Sequence, residues 1–217
     1  MKSELKGLKG VLLGSIIMSF AGPMSVILGN KMYTEYCANQ NVERFKDIPE
    51  QMDNFLKSTS GAPLLLDDSI AKQEIQICIR DGFTKDEKAE IYRAINEFDA
   101  AATGLEYNIF ESNTPDSSKS IIFSKNYLGS DGIYHTLGEA SFTRDNTTSK
   151  IIYPISVDLT TDKLHLSMYN HVVKHELMHT LGFADLYKEE DSDKMMFHTF
   201  HPSDITEEEL ETINTLY

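Results

Sequence analysis

The chain contains no tryptophan, only two cysteines and six prolines, and 20 basic residues against 34 acidic ones. A formal charge of −14 leaves little basic surface with which to neutralise phosphates, so nucleic acid is not an expected partner. The two cysteines, Cys37 and Cys78, allow at most one intrachain disulfide. No internal repeat, low-complexity tract or glycine-rich phosphate loop breaks the sequence, which removes solenoid, fibrous and nucleotide-cradling readings. No lipobox cysteine follows the apolar stretch near the N-terminus, so lipid anchorage is not indicated. With 41% hydrophobic residues in 217, there is material for one core and not for two large domains.

Lys2, Lys6 and Lys9 precede the apolar stretch Val11 to Met18, and Ser19-Phe20-Ala21 supplies small residues where a signal peptidase cuts. Residues 1–21 therefore read as an export signal, and the chain as secreted or periplasmic. Because Gly22 to Gly29 stays moderately apolar, an uncleaved membrane anchor over residues 1–29 remains open, marginal in length for a span. Residues 22–67, punctuated by Pro49, Gly61 and Pro63, form an N-terminal extension or pro-segment, and residues 68–217 one domain. In an oxidising compartment a Cys37–Cys78 disulfide would tie that extension to the first long strand, where Cys78 falls on the polar face opposite Ile75, Ile77 and Ile79.

Glu74 to Arg80 alternates apolar and polar with period two, the mark of a strand with one buried face. A helix follows: Thr84 is its cap, Glu87 completes a capping box, and Ile91, Ala94, Ile95 and Phe98 form the apolar stripe before Gly104. Leu105 to Phe110 and Ser120 to Phe123 read as two further strands, and Lys150 to Asp158 as another. Near the C-terminus Ser203 or Thr206 caps a last helix with Leu210, Ile213 and Leu216 at core-facing spacing.

The most informative run is His175-Glu176-Leu177-Met178-His179-Thr180-Leu181-Gly182-Phe183-Ala184-Asp185. On a helix, positions four apart differ by about 6 Å of rise and roughly 40° of rotation, so His175 and His179 present their imidazoles on one face to a single metal ion. Glu176, one residue along, is placed to reach the attacking water, where a general base must sit. Two imidazoles do not complete a tetrahedral site. Gly182 tolerates the left-handed turn that ends a helix and brings Asp185 back as a third, carboxylate ligand.

HExxHxxGxx followed by Asp resembles the zinc motif of the metzincin metallopeptidases, most of which carry His at the last position. The resemblance extends to the matrixins. Met196, in Asp193-Lys194-Met195-Met196-Phe197-His198, stands where that family has its Met-turn, and Ile213-Asn214-Thr215-Leu216-Tyr217 is similar to the end of the last matrixin helix. The likeness implies an α+β, metzincin-like zincin domain: a twisted, mostly parallel sheet, an antiparallel edge strand, an active-site helix, a Met-turn and a C-terminal helix. It implies that Leu137 to Thr143 is the edge strand lining the cleft, with Gly138, Glu139, Ala140 and Ser141 binding an extended peptide or protein substrate and His198 lining the primed side. It further implies zinc as cofactor, a monomer, and a calcium site drawn from loop carboxylates such as Asp116, Asp131, Asp145 and Asp158. Two alternatives stay open: a zincin of another clan with a downstream ligand such as Glu208, and a non-catalytic module using zinc only structurally.

Overall fold

Three consecutive leucines, Leu64, Leu65 and Leu66, are fully buried, and two of them form the first strand, β1 (Leu65–Leu66). The computed structural model describes residues 55–59, 61–128, 130, 131, 134–160, 164–200 and 203–217. The signal or anchor segment, most of the N-terminal extension and Cys37 lie outside the described residues. Among the described residues no helix is long and apolar enough to cross a membrane. The packed body takes in chain upstream of Asp68: the rings of Phe55 and Phe183 stand 4.8 Å apart, and Leu56 N–H donates to the Gly182 carbonyl at 2.8 Å.

A single-turn helix, α1 (Asp68–Ala71), leads to β2 (Glu74–Ile79), followed by α2 (Lys85–Ala101) and β3 (Glu106–Glu111). The capping box forms as the sequence expects: Glu87 N–H donates to Thr84 Oγ1 at 3.3 Å and Thr84 N–H to Glu87 Oε2 at 2.7 Å. Ile91, Ala94, Ile95 and Phe98 are all completely buried. Each such side chain removed from water stabilises the fold by about 1.5–3 kcal/mol when large. The helix stops at Ala102, two residues before Gly104. Cys78 departs from the expected polar face: it is fully buried, its thiol donates to the Ser112 carbonyl at 3.4 Å, and burial pushes its pKa up. β2 has a neighbour on both sides and cover on both faces, which period-two reading cannot register.

The chain continues with β4 (Ser120–Asn126), a separate two-stranded hairpin of β5 (Ser130–Asp131) and β6 (Tyr134–His135), then β7 (Gly138–Asp145) and β8 (Lys150–Thr160), which return to the main sheet. The order β1-β8-β4-β2-β3 is parallel throughout, and β7 alone runs antiparallel, against β8. The mostly parallel α+β sheet with an antiparallel edge strand is thus present. Between Phe142 and Thr143 the β7–β8 register slips past Tyr153 and Pro154, where a proline has no N–H to give the ladder.

Helix α3 (Tyr169–Thr180) packs against α2, β7 and β8. The last helix, α4 (Glu207–Leu216), carries a second capping box between Thr206 and Glu209. Its buried side chains are Glu209, Thr212, Ile213 and Leu216, with Leu210 only half-buried, so the core stripe is rotated from the expected Leu210-Ile213-Leu216 line. The rotation follows from Glu209, whose carboxylate turns inward to backbone donors.

Candidate metal centre

α3 presents His175 and His179 on one face with ring centroids 4.8 Å apart and ring planes at 88°. Each ring is clamped through Nδ1 by a main-chain carbonyl: His175 donates to Met195 O and His179 to Phe183 O, both at 2.8 Å. A carbonyl can only accept, so Nδ1 carries the proton and the neutral ring keeps its lone pair on Nε2. Both Nε2 atoms point at one oxygen. Asp185 Oδ1 lies 3.2 Å from Nε2 of His175 and 3.5 Å from Nε2 of His179. Three acceptors facing one another are mutually repulsive unless a proton or a cation sits between them. Borderline-soft nitrogen donors with one carboxylate are the donor set of a zinc site, so the residues fit that ion.

Electrostatics respond to the same geometry. Burial alone would lower His179, but hydrogen bonding to Asp185 and the nearby Glu176 charge outweigh it, so the ring holds its proton more tightly than a free histidine. Burial opposes ionisation of Asp185, yet its contacts with His175 and His179 win and hold it well below the usual carboxylate range. Tyr187, exposed beside it, donates its hydroxyl to Asp185 Oδ2 at 3.4 Å and stacks on His198 at 4.8 Å.

Gly182 makes the approach of Asp185 feasible. Its φ is +105°, and a Cβ there would lie 2.1 Å from the Leu64 carbonyl oxygen. Only a residue without a side chain fits both conditions. Its N–H donates to His179 O at 3.0 Å, closing the helix, and its carbonyl accepts from Leu56.

Glu176 is 4% exposed, accepts a hydrogen bond from Ala140 N–H, and has a carboxylate pKa raised by burial. Its Oε2 has no hydrogen-bond partner. His175, Glu176 and His179 each offer a ligand atom within 4.8 Å of the others, a grouping of metal-capable side chains among the described residues. A cleft of about 1020 Å³ opens over them, lined among others by Gly138, Glu139, Ala140, Phe142, Arg144, His171 and His198.

Of the expected cleft residues, Ser141 does not line it; that side chain is exposed on β7. His198 is exposed at the rim, its Nδ1 3.1 Å from Leu186 O. Met196 is fully buried, and the hydrogen bond that holds the His175 ring comes from its neighbour, Met195, through the main-chain carbonyl. Glu208 on α4 faces Lys194 at 3.6 Å. Calcium has no support: Asp116 and Asp145 accept from the N–H groups of their own turns, Asp158 bonds Asn126, and the Asp131 side chain lies outside the described residues.

Four contributors escaped the sequence reading: the carbonyls of Met195 and Phe183, Tyr187, and Glu209. Glu209 is fully buried, and its carboxylate accepts from Met195 N at 3.3 Å, Met196 N at 3.2 Å, and both Thr206 N and Oγ1 at 2.9 Å. The Thr-x-x-Glu capping box was the visible signal for Glu209; nothing in a sequence marks a carbonyl that will orient an imidazole.

No family model and no curated protein matches the sequence. Two solved structures of myroilysin are similar in fold, each with a TM-score of 0.45 at 12% identity; they cover 70% and 71% of this chain, and 97% and 88% of their own. At that distance they add nothing to the residue-level geometry.

Proposed function

We propose that the chain is a zinc-dependent endopeptidase of matrixin-like metzincin type, with His175, His179 and Asp185 holding the metal and Glu176 as general base. One observation carries the reading: two imidazoles with Nδ1 already committed to carbonyls turn both Nε2 atoms on Asp185 Oδ1, at 3.2 and 3.5 Å, beside a buried carboxylate oxygen that lacks a partner. Zinc, when bound, would supply Lewis acidity, acidifying the attacking water and polarising the scissile carbonyl.

The chain's own groups do the rest. Met195 O and Phe183 O keep each ring in the tautomer whose Nε2 is a donor to metal. Glu176, desolvated and so a stronger base than a surface carboxylate, takes a proton from water on Oε2 and later delivers it to the departing amine. β7 bonds β8 along one side only among the described residues, and its other edge borders the cleft, so an extended peptide can add there by main-chain pairing. Such pairing favours a polypeptide over a small ester or amide.

The test is metal analysis of the purified chain together with cleavage of a peptide library. Wild type should carry one zinc and cut peptides; Glu176→Ala should keep the zinc and lose turnover, and His179→Ala should lose both. Full activity in Glu176→Ala sinks the assignment.

A further inference from the structure

β7 turns Gly138, Ala140 and Phe142 toward α3, since alternate residues of a strand share a face, and their size grows along the strand. The smallest position lies under the general base. A Cβ on Gly138 would stand 2.6 Å from Glu176 Oε1, 2.7 Å from Cγ and 2.9 Å from Cδ. Real methyl groups do not approach that closely, so one partner would have to move. The far oxygen alone could swing aside, but the overlap includes Cγ, and Glu176 is 4% exposed with its carboxylate tied to Ala140 N–H. The Gly138 backbone has no positive φ that would demand glycine, and its ladder partner is the buried Leu159. The glycine is therefore explained by the carboxylate and not by the strand.

We infer that Gly138 is a positioning residue: the side chain it lacks is the space in which the Glu176 carboxylate lies, and this fixes which oxygen is left toward the two imidazoles. Ala140 N–H holds the carboxylate from one side and the bare Cα of Gly138 lets it settle against the strand. Gly138 acts through Glu176 and need not touch substrate with a side chain. The task of the carboxylate rests on the peptidase reading; its place does not.

The experiment is a double-substitution cycle with two readouts. In thermal unfolding of the chelator-treated protein, Gly138→Ala should lower Tm by at least about 3 °C in the wild-type background. It should leave Tm unchanged or slightly raised in Glu176→Ala, where the three atoms the methyl would overlap are gone. In peptide cleavage with zinc, Gly138→Ala should lower kcat by about 100-fold or more, with KM within about 2-fold and zinc content intact. Glu176→Asp, one methylene shorter, should be far less harmful in the Gly138→Ala background than in wild type. Equal Tm changes in both backgrounds, or a raised KM with unchanged kcat, overturns the inference. Thermal coupling in a protein that cuts no peptide would retain the Gly138–Glu176 dependence while removing the peptidase reading.

Discussion

Replacing Gly182 with alanine tests whether the turn, and not the helix alone, builds the proposed metal site. At φ +105° an alanine costs about 1–3 kcal/mol of backbone strain. The methyl would also sit 2.1 Å from Leu64 O, inside contact distance of a backbone atom that leads into β1, and relieving such an overlap costs about another 1–3 kcal/mol. Against this stands the lower entropy of the unfolded chain, about 0.4–1 kcal/mol in alanine's favour. The net loss is about 1–6 kcal/mol, read as a Tm lower by roughly 3–18 °C.

The displacement should also reach the metal. Asp185 is three residues downstream, and its Oδ1 must stay near both Nε2 atoms, so zinc affinity measured by competition with a chelating dye should fall at least about 10-fold. Gly182→Asn separates the two causes, because asparagine eases positive φ but not the collision. It should recover little of either quantity. A Gly182→Ala protein within about 2 °C and 2-fold of wild type in both measurements would refute the argument.

Asp185→Ala should weaken zinc binding by about 100-fold or more, whereas Glu208→Ala should leave it unchanged, and equilibrium dialysis distinguishes them. Glu209→Ala would strip an acceptor from four buried or half-buried donors, so it should destabilise the fold by about 3–5 kcal/mol in urea titration and weaken zinc through His175. Stability should fall on the acid side for a definite reason. Lys174 and Asn170 hold the Glu97 carboxylate below its usual 4.5, and Lys125 and the Thr84 N–H outweigh burial to do the same for Glu87. A carboxyl depressed in the folded state contributes stability that is present above the unfolded value and lost as pH falls through the folded one. Tm should therefore drop as pH is lowered below about 4.5, and Glu87→Gln should flatten that slope.

The local elements were legible wherever the signal was itself local. Thr84 with Glu87 marked the start of α2 and the isoleucine alternation marked β2, whereas the edge strand over Leu137 to Thr143 was expected from the family resemblance and not from a local signal. β1 was not legible, because two buried leucines have no period, and they are fixed only by pairing with Lys150 and Ile151 at the head of β8. Cys78 misled because the pattern of a single element says which face is apolar, not how many faces its neighbours will cover, and Leu210 because the inward-turned Glu209 carboxylate rotates the stripe of α4.

The same division runs through the candidate metal site. Spacing alone put His175 and His179 on one face and Glu176 one residue along from the first, since helix geometry needs no partner to act. What turns the rings is supplied by main chain from elsewhere, and one of those carbonyls has a traceable cause. Glu209, closing the capping box of α4, also accepts the N–H groups of Met195 and Met196, and the carbonyl of Met195 then accepts from His175 Nδ1. One carboxylate thus starts a helix, pins the methionine turn and, through it, aims an imidazole. A reading of the capping box as helix punctuation captures only the first of these, because the other two depend on how the turn docks beneath α3, a contact made by tertiary packing alone.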